Sequence, residues 1–197
     1  MIELQSVSGP EIKRVIPELA RLRIRVFRDF PYLYEGSAEY EANYLQTYLD
    51  CPRSVIVLAR DGDRIVGASS ALPIEDEMEE IKTPFVQAGF DLSEVFYLAE
   101  SVLLPEYRGQ GLGVKFFEAR EHHAHQLGGF RHATFCAVER PLDHPLKPAD
   151  HVPLDGFWTK RGYHKREDLH TTLSWPDLGE SEGSLKKMTF WLREIQK

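Results

Sequence analysis

The sequence predicts a mixed α+β fold, one sheet with helices packed against it, and three observations carry that expectation. Two runs rich in Val, Ile, Leu and Ala, Ser54 to Arg60 and Arg64 to Leu72, flank Asp61-Gly62, which is a strong β-hairpin pattern. The most apolar run of the chain, Val95 to Leu104, passes through a glycine-rich loop straight into an amphipathic helix. Two further strand-like runs, Leu169 to Trp175 and Lys187 to Ile195, follow near the carboxyl end. Strands therefore alternate with helices while hairpins stand at both ends, so a purely parallel sheet does not fit.

Composition narrows the class. With 197 residues the chain is expected to form a single domain, 1–197, burying roughly 70% of its unfolded surface. Hydrophobic residues at 42% and charged residues at 28% are ordinary globular values. The net charge of −7 argues against sequence-independent nucleic-acid binding, which needs a positive surface. No apolar run approaches the roughly 20 residues that span a bilayer, and the first residues carry no signal-peptide pattern. Cys51 and Cys136 are too few for a disulfide scaffold, so a soluble, cytoplasmic protein without membrane partners is expected.

Taken in order, Ile2 to Val7 alternates like a short strand and Gly9-Pro10 ends it. Ile12, Val15, Ile16, Leu19, Leu22 and Val26 recur at helical spacing, with Pro17 expected to kink that helix or to open a second segment. Phe27 to Tyr34 reads as an aromatic loop and Ala38 to Leu49 as another helix. The acidic stretch Glu75 to Glu80 is expected to begin a short, solvated surface helix. Val114 to Leu127 is a helix whose inner face would carry Val114, Phe117, Ala124 and Leu127, stopped by Gly128-Gly129. Arg131 to Val138 is a strand. Four prolines keep Glu139 to Asp155 irregular, and Phe157 to Arg161 is a short helix closed by Gly162.

The stretch that carries chemistry is Glu100-Ser101-Val102-Leu103-Leu104-Pro105-Glu106-Tyr107-Arg108-Gly109-Gln110-Gly111-Leu112-Gly113-Val114-Lys115. A buried strand enters a loop of alternating glycines and a helix starts at once. Glycine permits left-handed backbone angles and lets a ligand approach the main chain, while the helix start presents amides and partial positive charge. That suits a phosphate or pyrophosphate, with Arg108 as a side-chain clamp. Neither the P-loop pattern nor the dinucleotide fingerprint is met. The pattern [Q/R]-x-x-G-x-[G/A] is met by Arg108, Gly111 and Gly113. With its flanking strand and helix, and with Phe157-Trp158-Thr159-Lys160-Arg161-Gly162-Tyr163 downstream, the chain resembles the GNAT superfamily of acyl-CoA-dependent N-acyltransferases over roughly Ile2 to Tyr163.

The resemblance implies a mostly antiparallel central sheet whose strands splay at the site of CoA. It implies that Val102, Leu103 and Leu104 offer main-chain groups to the pantetheine and thioester. Arg108, Gly109, Gln110, Gly111, Leu112 and Gly113 would bind the pyrophosphate, with Val114 and Lys115 close by. It further implies direct acetyl transfer from acetyl-CoA, as cosubstrate, to a primary amine of a small molecule or peptide. A lysine-like amine, of pKa about 10.4, pays roughly 4.6 kcal/mol to be neutral at pH 7, and an α-amine only about 1 kcal/mol, so a general base matters for the first class. Glu100, an acid inside the most apolar strand, is the candidate base, since desolvation would raise its pKa. The other reading of Glu100 is a buried carboxylate paired with an arginine for structure.

The family's frequent tyrosine acid falls at Trp158, whose indole cannot supply a proton, so Trp158 is expected to pack against CoA and no general acid is assigned. Tyr32, Tyr34 and Glu35 would line the acceptor pocket. Glu121-His122-His123-Ala124-His125 has no metal-ligand spacing and reads as a polar helix face, so no metal is expected. Cys136 reads as a core thiol, and Trp175 and Trp191 as core or as a surface for a homodimer. A noncatalytic acyl-CoA-binding sensor or interaction module is the alternative to the enzyme.

Overall fold

The computed structural model describes residues 2–195. Its elements run β1 (Glu3–Val7), α1 (Ile12–Phe27), α2 (Ala38–Asp50), β2 (Val55–Asp61), β3 (Arg64–Pro73), α3 (Glu79–Gln87), β4 (Val95–Leu103), α4 (Leu112–Leu127), β5 (His132–Val138), α5 (Asp155–Thr159), β6 (His164–Trp175) and β7 (Ser184–Glu194). The strands form one seven-stranded sheet in the order β1-β2-β3-β4-β5-β7-β6. Every neighbouring pair is antiparallel except β4 and β5. The expected mixed α+β sheet is therefore what the chain adopts.

The parallel pair is also where the sheet opens. Only Val95 to Tyr97 pair with β5, against His132 to Thr134, although β4 continues to Leu103 and β5 to Val138. From Leu98 onward the β5-facing edge of β4 carries no ladder partner among the described residues. This gap is the splay that the resemblance implied.

Helices cover both faces of the sheet. Phe117 of α4 packs on Phe135 of β5 at 5.6 Å between ring centroids. On the opposite face lie α1 and α2, and α3 sets Phe85 against Phe190 of β7 at 4.9 Å. Pro17 neither kinks off a new segment nor ends α1, which runs unbroken through it. Both Pro17 and Lys13, whose carbonyl loses its helical donor, are exposed, so water can take that bond.

Other expectations shift. The buried face of α4 is Leu112, Phe116, Phe117, Arg120 and Ala124, while Val114 is half-buried and Leu127 is exposed. The acidic stretch starts with a single 3₁₀ turn, Ile74–Asp76, and the helix begins only at Glu79, with Ile81 and Phe85 buried. Glu77, between them, is not solvated at all: 6% of it is exposed. β6 begins at His164, five residues before the expected Leu169, because an irregularity between Arg166 and His170 breaks the alternation that marks a strand.

Candidate active site

At the donor side, β4 ends at Leu103, a 3₁₀ turn spans Pro105–Tyr107, and α4 starts at Leu112. Gly109 and Gly111 hold φ of 77° and 80°, left-handed angles that a side chain resists. Gly113 has a different reason to be glycine, since a Cβ there would stand 3.2 Å from the Phe157 ring. Gly111 caps α4 with no side-chain cap among the described residues, and the Val114 and Lys115 amides of the first turn donate to its carbonyl at 3.1 and 3.3 Å. Arg108 to Gly111 and Lys115 are exposed, Gly113 and Val114 half-buried and Leu112 buried, in a cradle that follows on from β4.

Three groups named from the resemblance make contacts within the protein. The Leu104 amide donates to the Val66 carbonyl at 3.0 Å, which commits it to the sheet. The Leu103 carbonyl accepts from Arg108 Nε at 3.3 Å, and Arg108 also approaches Asp29 at 3.9 Å. Trp158 lies in an aromatic cluster, 5.1 Å from the rings of both Phe135 and Trp191. Val102 is buried in β4 opposite Ala68.

Next to the β4 edge stands a buried polar cluster. Arg23 of α1 pairs with Glu41 of α2 and with Glu100 of β4. Its guanidinium stacks over the Tyr44 ring at 4.3 Å and the Phe27 ring at 5.0 Å. The Tyr44 hydroxyl donates to Glu100 Oε2 at 3.3 Å and lies 2.9 Å from the Tyr48 hydroxyl. Burial alone would lower the Arg23 pKa, but the charges of Glu100, Tyr44 and Glu41 outweigh it and keep the guanidinium charged. Beside the ion pair is a cavity of about 10 Å³, lined by Arg23, Ser69, Ser70, Glu100 and Val102, enough for one water.

Glu100 is thus at the expected place, on the open strand and half-buried, but its surroundings are polar rather than apolar. The arginine that pairs with it is Arg23. The helix periodicity holds the signal: Arg23 stands four residues after Leu19 and four before Phe27, on the apolar stripe of α1. Glu41 likewise precedes Leu45 and Tyr48 on the buried stripe of α2. A charge on a core stripe is the mark of a partnered buried group.

The loop after α1, which holds Tyr32, Tyr34 and Glu35, is fastened to the loop between β6 and β7. Arg140, just past β5, donates to the carbonyls of Pro31 and Tyr32, both at 2.7 Å, and grips Asp177 with two bonds of 2.7 and 2.8 Å. Backbone bonds join Glu35 to Pro176 and Leu178 to Leu33. Trp175 Nε1 donates to the Tyr32 carbonyl at 3.0 Å. Tyr32 and Tyr34 face inward: burial raises both hydroxyls, with Cys136 and Glu100 adding to Tyr32 and Glu41 to Tyr34. Glu35 instead points out, pairing with Arg28 at 2.7 Å with about half its side chain exposed (45%). Cys136 is a buried core thiol, pushed up to about 12 by desolvation and 3.1 Å from the Tyr97 hydroxyl. Arg120 was not singled out from the sequence; buried in α4, it donates to the carbonyls of Ser70 and Glu100 at 3.3 and 3.1 Å, across the β3–β4 irregularity.

Known proteins share this architecture. A family model described as the acetyltransferase (GNAT) family matches residues 19–149. No curated protein matches the sequence. Among solved structures, an acetyltransferase from Thermus thermophilus is 16% identical, with 98% of this chain and 97% of that one covered and a TM-score of 0.59. NAA60 of Arabidopsis thaliana in complex with acetyl-CoA is 12% identical over 99% of each chain, at 0.62. The yncA protein of Salmonella typhimurium with its cofactor acetyl-CoA is 9% identical over 100% of this chain and 95% of that one, also at 0.62. At such identities the structural likeness speaks for the fold, and the sequence model for the family. The matched segment spans the ion-paired stripe of α1, the open edge of β4 and the glycine cradle: the chain belongs to the GNAT family of acetyltransferases.

Proposed function

We propose that this protein is an acetyl-CoA-dependent N-acetyltransferase, acting as a single domain in the cytoplasm on a primary amine of a small molecule or peptide. The observation that carries the reading is the junction of two features at β4. One end of the strand runs into the exposed glycine cradle, and its middle carries Glu100 at the gap between β4 and β5. Acetyl-CoA supplies an activated thioester. The residues Arg108 to Lys115 suit its pyrophosphate through amides and dipole. The unpaired edge of β4 suits its pantetheine, with an amide near Leu103 to polarise the carbonyl. No metal is needed for this chemistry, and no metal-binding group occurs among the described residues.

One observation favours the sensor reading: Glu100 is engaged in an ion pair with Arg23. The Glu100→Gln variant separates the two. For the enzyme, acetyl-CoA affinity stays near normal while amine-dependent thiol release falls by about 100-fold for a lysine-like acceptor. An unchanged rate removes Glu100 from the reaction. Tight acetyl-CoA binding by the wild type, with no thiol release from polyamines, amino acids, aminoglycosides or peptides, favours the sensor.

A further inference from the structure

Glu100 is held from both faces of the sheet. On the face covered by α1 and α2 its carboxylate pairs with Arg23 and accepts from the Tyr44 hydroxyl. From the opposite face Arg120 of α4 reaches its main chain. Arg120 stands on the buried stripe of that helix, four residues after Phe116 and four before Ala124, and is 1% exposed. Its hydrogen bonds go to main-chain carbonyls. Nε donates to Phe116 at 3.2 Å, and Nη1 donates to Ser70 of β3 at 3.3 Å and to Glu100 of β4 at 3.1 Å. The guanidinium also lies 4.9 Å from the centre of the Phe117 ring. Burial lowers its pKa to about 10, so it stays a cation at neutral pH.

The place it occupies is where β4 departs from regular pairing. Ser70 pairs with Glu100 and Leu72 with Tyr97, so two steps along β3 match three along β4, and β4 carries a bulge at Leu98 and Ala99. The ladder to β5 also stops at Tyr97, so the bulge and the opening of the sheet fall at one point. A bulge interrupts the ladder, and here one donor group shared by a carbonyl of each strand bridges the interruption. Filling this space does not need a charge, since an apolar side chain would do so without the cost of desolvating a guanidinium. What the guanidinium adds is a rigid fork of donors that fixes the direction of the carbonyls it meets. Resting on the acetyltransferase reading above, we propose that Arg120 is a positioning residue for acetyl transfer, fixing the β4 bulge so that the Glu100 carboxyl is presented at the gap between β4 and β5.

Arg120 touches no reacting atom and acts through the backbone of Glu100. It stands nine residues beyond Gly111, roughly 13 Å along the helix, so the glycine cradle is outside its reach. A reacting group misplaced by about 1 Å costs on the order of 100-fold in rate. The loss should be greatest for a lysine-like amine, which arrives charged and needs a base, and small for an α-amine.

The test is a double-mutant cycle on kcat for thiol release, with acetyl-CoA and the best amine of the panel named above. Wild type, Arg120→Met, Arg120→Lys and Glu100→Gln are compared with the two combinations of an Arg120 variant and Glu100→Gln, and acetyl-CoA affinity is measured for each by calorimetry. Arg120→Met is expected to lower kcat about 100-fold. Arg120→Lys, which keeps the charge but not the fork, should lower it about tenfold. Acetyl-CoA affinity should stay within about threefold, since binding of the donor is left alone. In the Glu100→Gln background either Arg120 substitution should cost less than about threefold more, because the group it positions is gone. A kcat within about twofold of wild type in Arg120→Met, an unchanged rate in Glu100→Gln, or acetyl-CoA affinity lost in step with kcat overturns the proposal while the acetyltransferase reading stands. So does the full loss repeated in the Glu100→Gln background. If Arg120→Met does not fold, the Arg120→Lys cycle decides alone, and equal losses with and without Glu100→Gln overturn the proposal. Acetyl-CoA binding by the wild type without thiol release from any amine overturns the acetyltransferase reading, and the proposal with it.

Discussion

The glycine cradle takes up consecutive residues, Arg108 to Lys115, whereas the buried polar cluster draws single side chains from α1, α2, β4 and the turn before α3. The loop Arg108 to Gly111 is exposed and needs particular φ angles; the cluster is buried and needs particular charges. A backbone site tolerates the loss of most side chains but not a change of its dihedral angles. A side-chain site tolerates neither the loss of a charge nor its gain, because Arg23, Glu41 and Glu100 offset one another from elements far apart in sequence.

The largest effect that follows is on the cluster. Arg23→Leu leaves Glu41, fully buried, and Glu100 without their cation, and about 3–5 kcal/mol of stability should be lost in urea unfolding. Acetyl-CoA affinity of the protein that remains folded should be little changed. Loss of affinity in proportion to stability would erase the distinction between the two regions.

Glu77→Gln should act in the opposite direction and only at high pH. The carboxyl is raised from 4.5 to about 7 in the folded protein, so the folded state binds this proton more tightly than the unfolded one. Below about pH 4 both states are protonated and the variant gains nothing. The wild type is penalised as pH rises from about 4.5, reaching on the order of 3 kcal/mol above pH 7. The variant should therefore be more stable than wild type at pH 8 and equal to it at pH 4 by thermal unfolding. A constant difference across that range would remove the buried titration.

On the donor side, Gly111→Asp should weaken acetyl-CoA binding by at least about 100-fold in calorimetry. A left-handed angle costs a side chain about 1–2 kcal/mol, and the carboxylate opposes an anion at the helix start. No atom lies within 4 Å of the new Cβ, so the fold should survive. Gly111→Ala carries the strain without the charge and should fall between. Affinity kept in both variants would place the anion site elsewhere.

How much of this was legible follows the same division. The hairpin at Asp61-Gly62, the apolar strand β4 and the glycine loop are each a local pattern, and each appears in the structure at the expected place. The cluster is not local. Arg23 and Glu41 could have been noticed as charges on apolar helix stripes, yet their pairing depends on how α1, α2 and β4 pack. Glu77 looked like one more acid in a solvated run, since nothing in Glu75 to Glu80 distinguishes the single residue that turns inward. The start of β6 was hidden by the irregularity near Arg166.

The smallest expected effect concerns the fastened loop after α1. Arg140→Ala removes the bonds to Pro31, Tyr32 and Asp177, while Lys186, 3.2 Å from Asp177, stays to offset part of the loss. A cost of about 1–3 kcal/mol is expected. Amide exchange should quicken for Leu33 to Glu35 and Leu178 and stay unchanged at the glycine loop. Faster exchange in both places would mean that the two sides are one mechanical unit.

The most direct test of the account is thiol release from acetyl-CoA by the purified protein with pooled polyamines, amino acids, aminoglycosides and peptides. The account expects release that depends on one class of amine carrying a charged, lysine-like group. Tight binding of acetyl-CoA with no release from any pool, or no binding of acetyl-CoA at all, would contradict it.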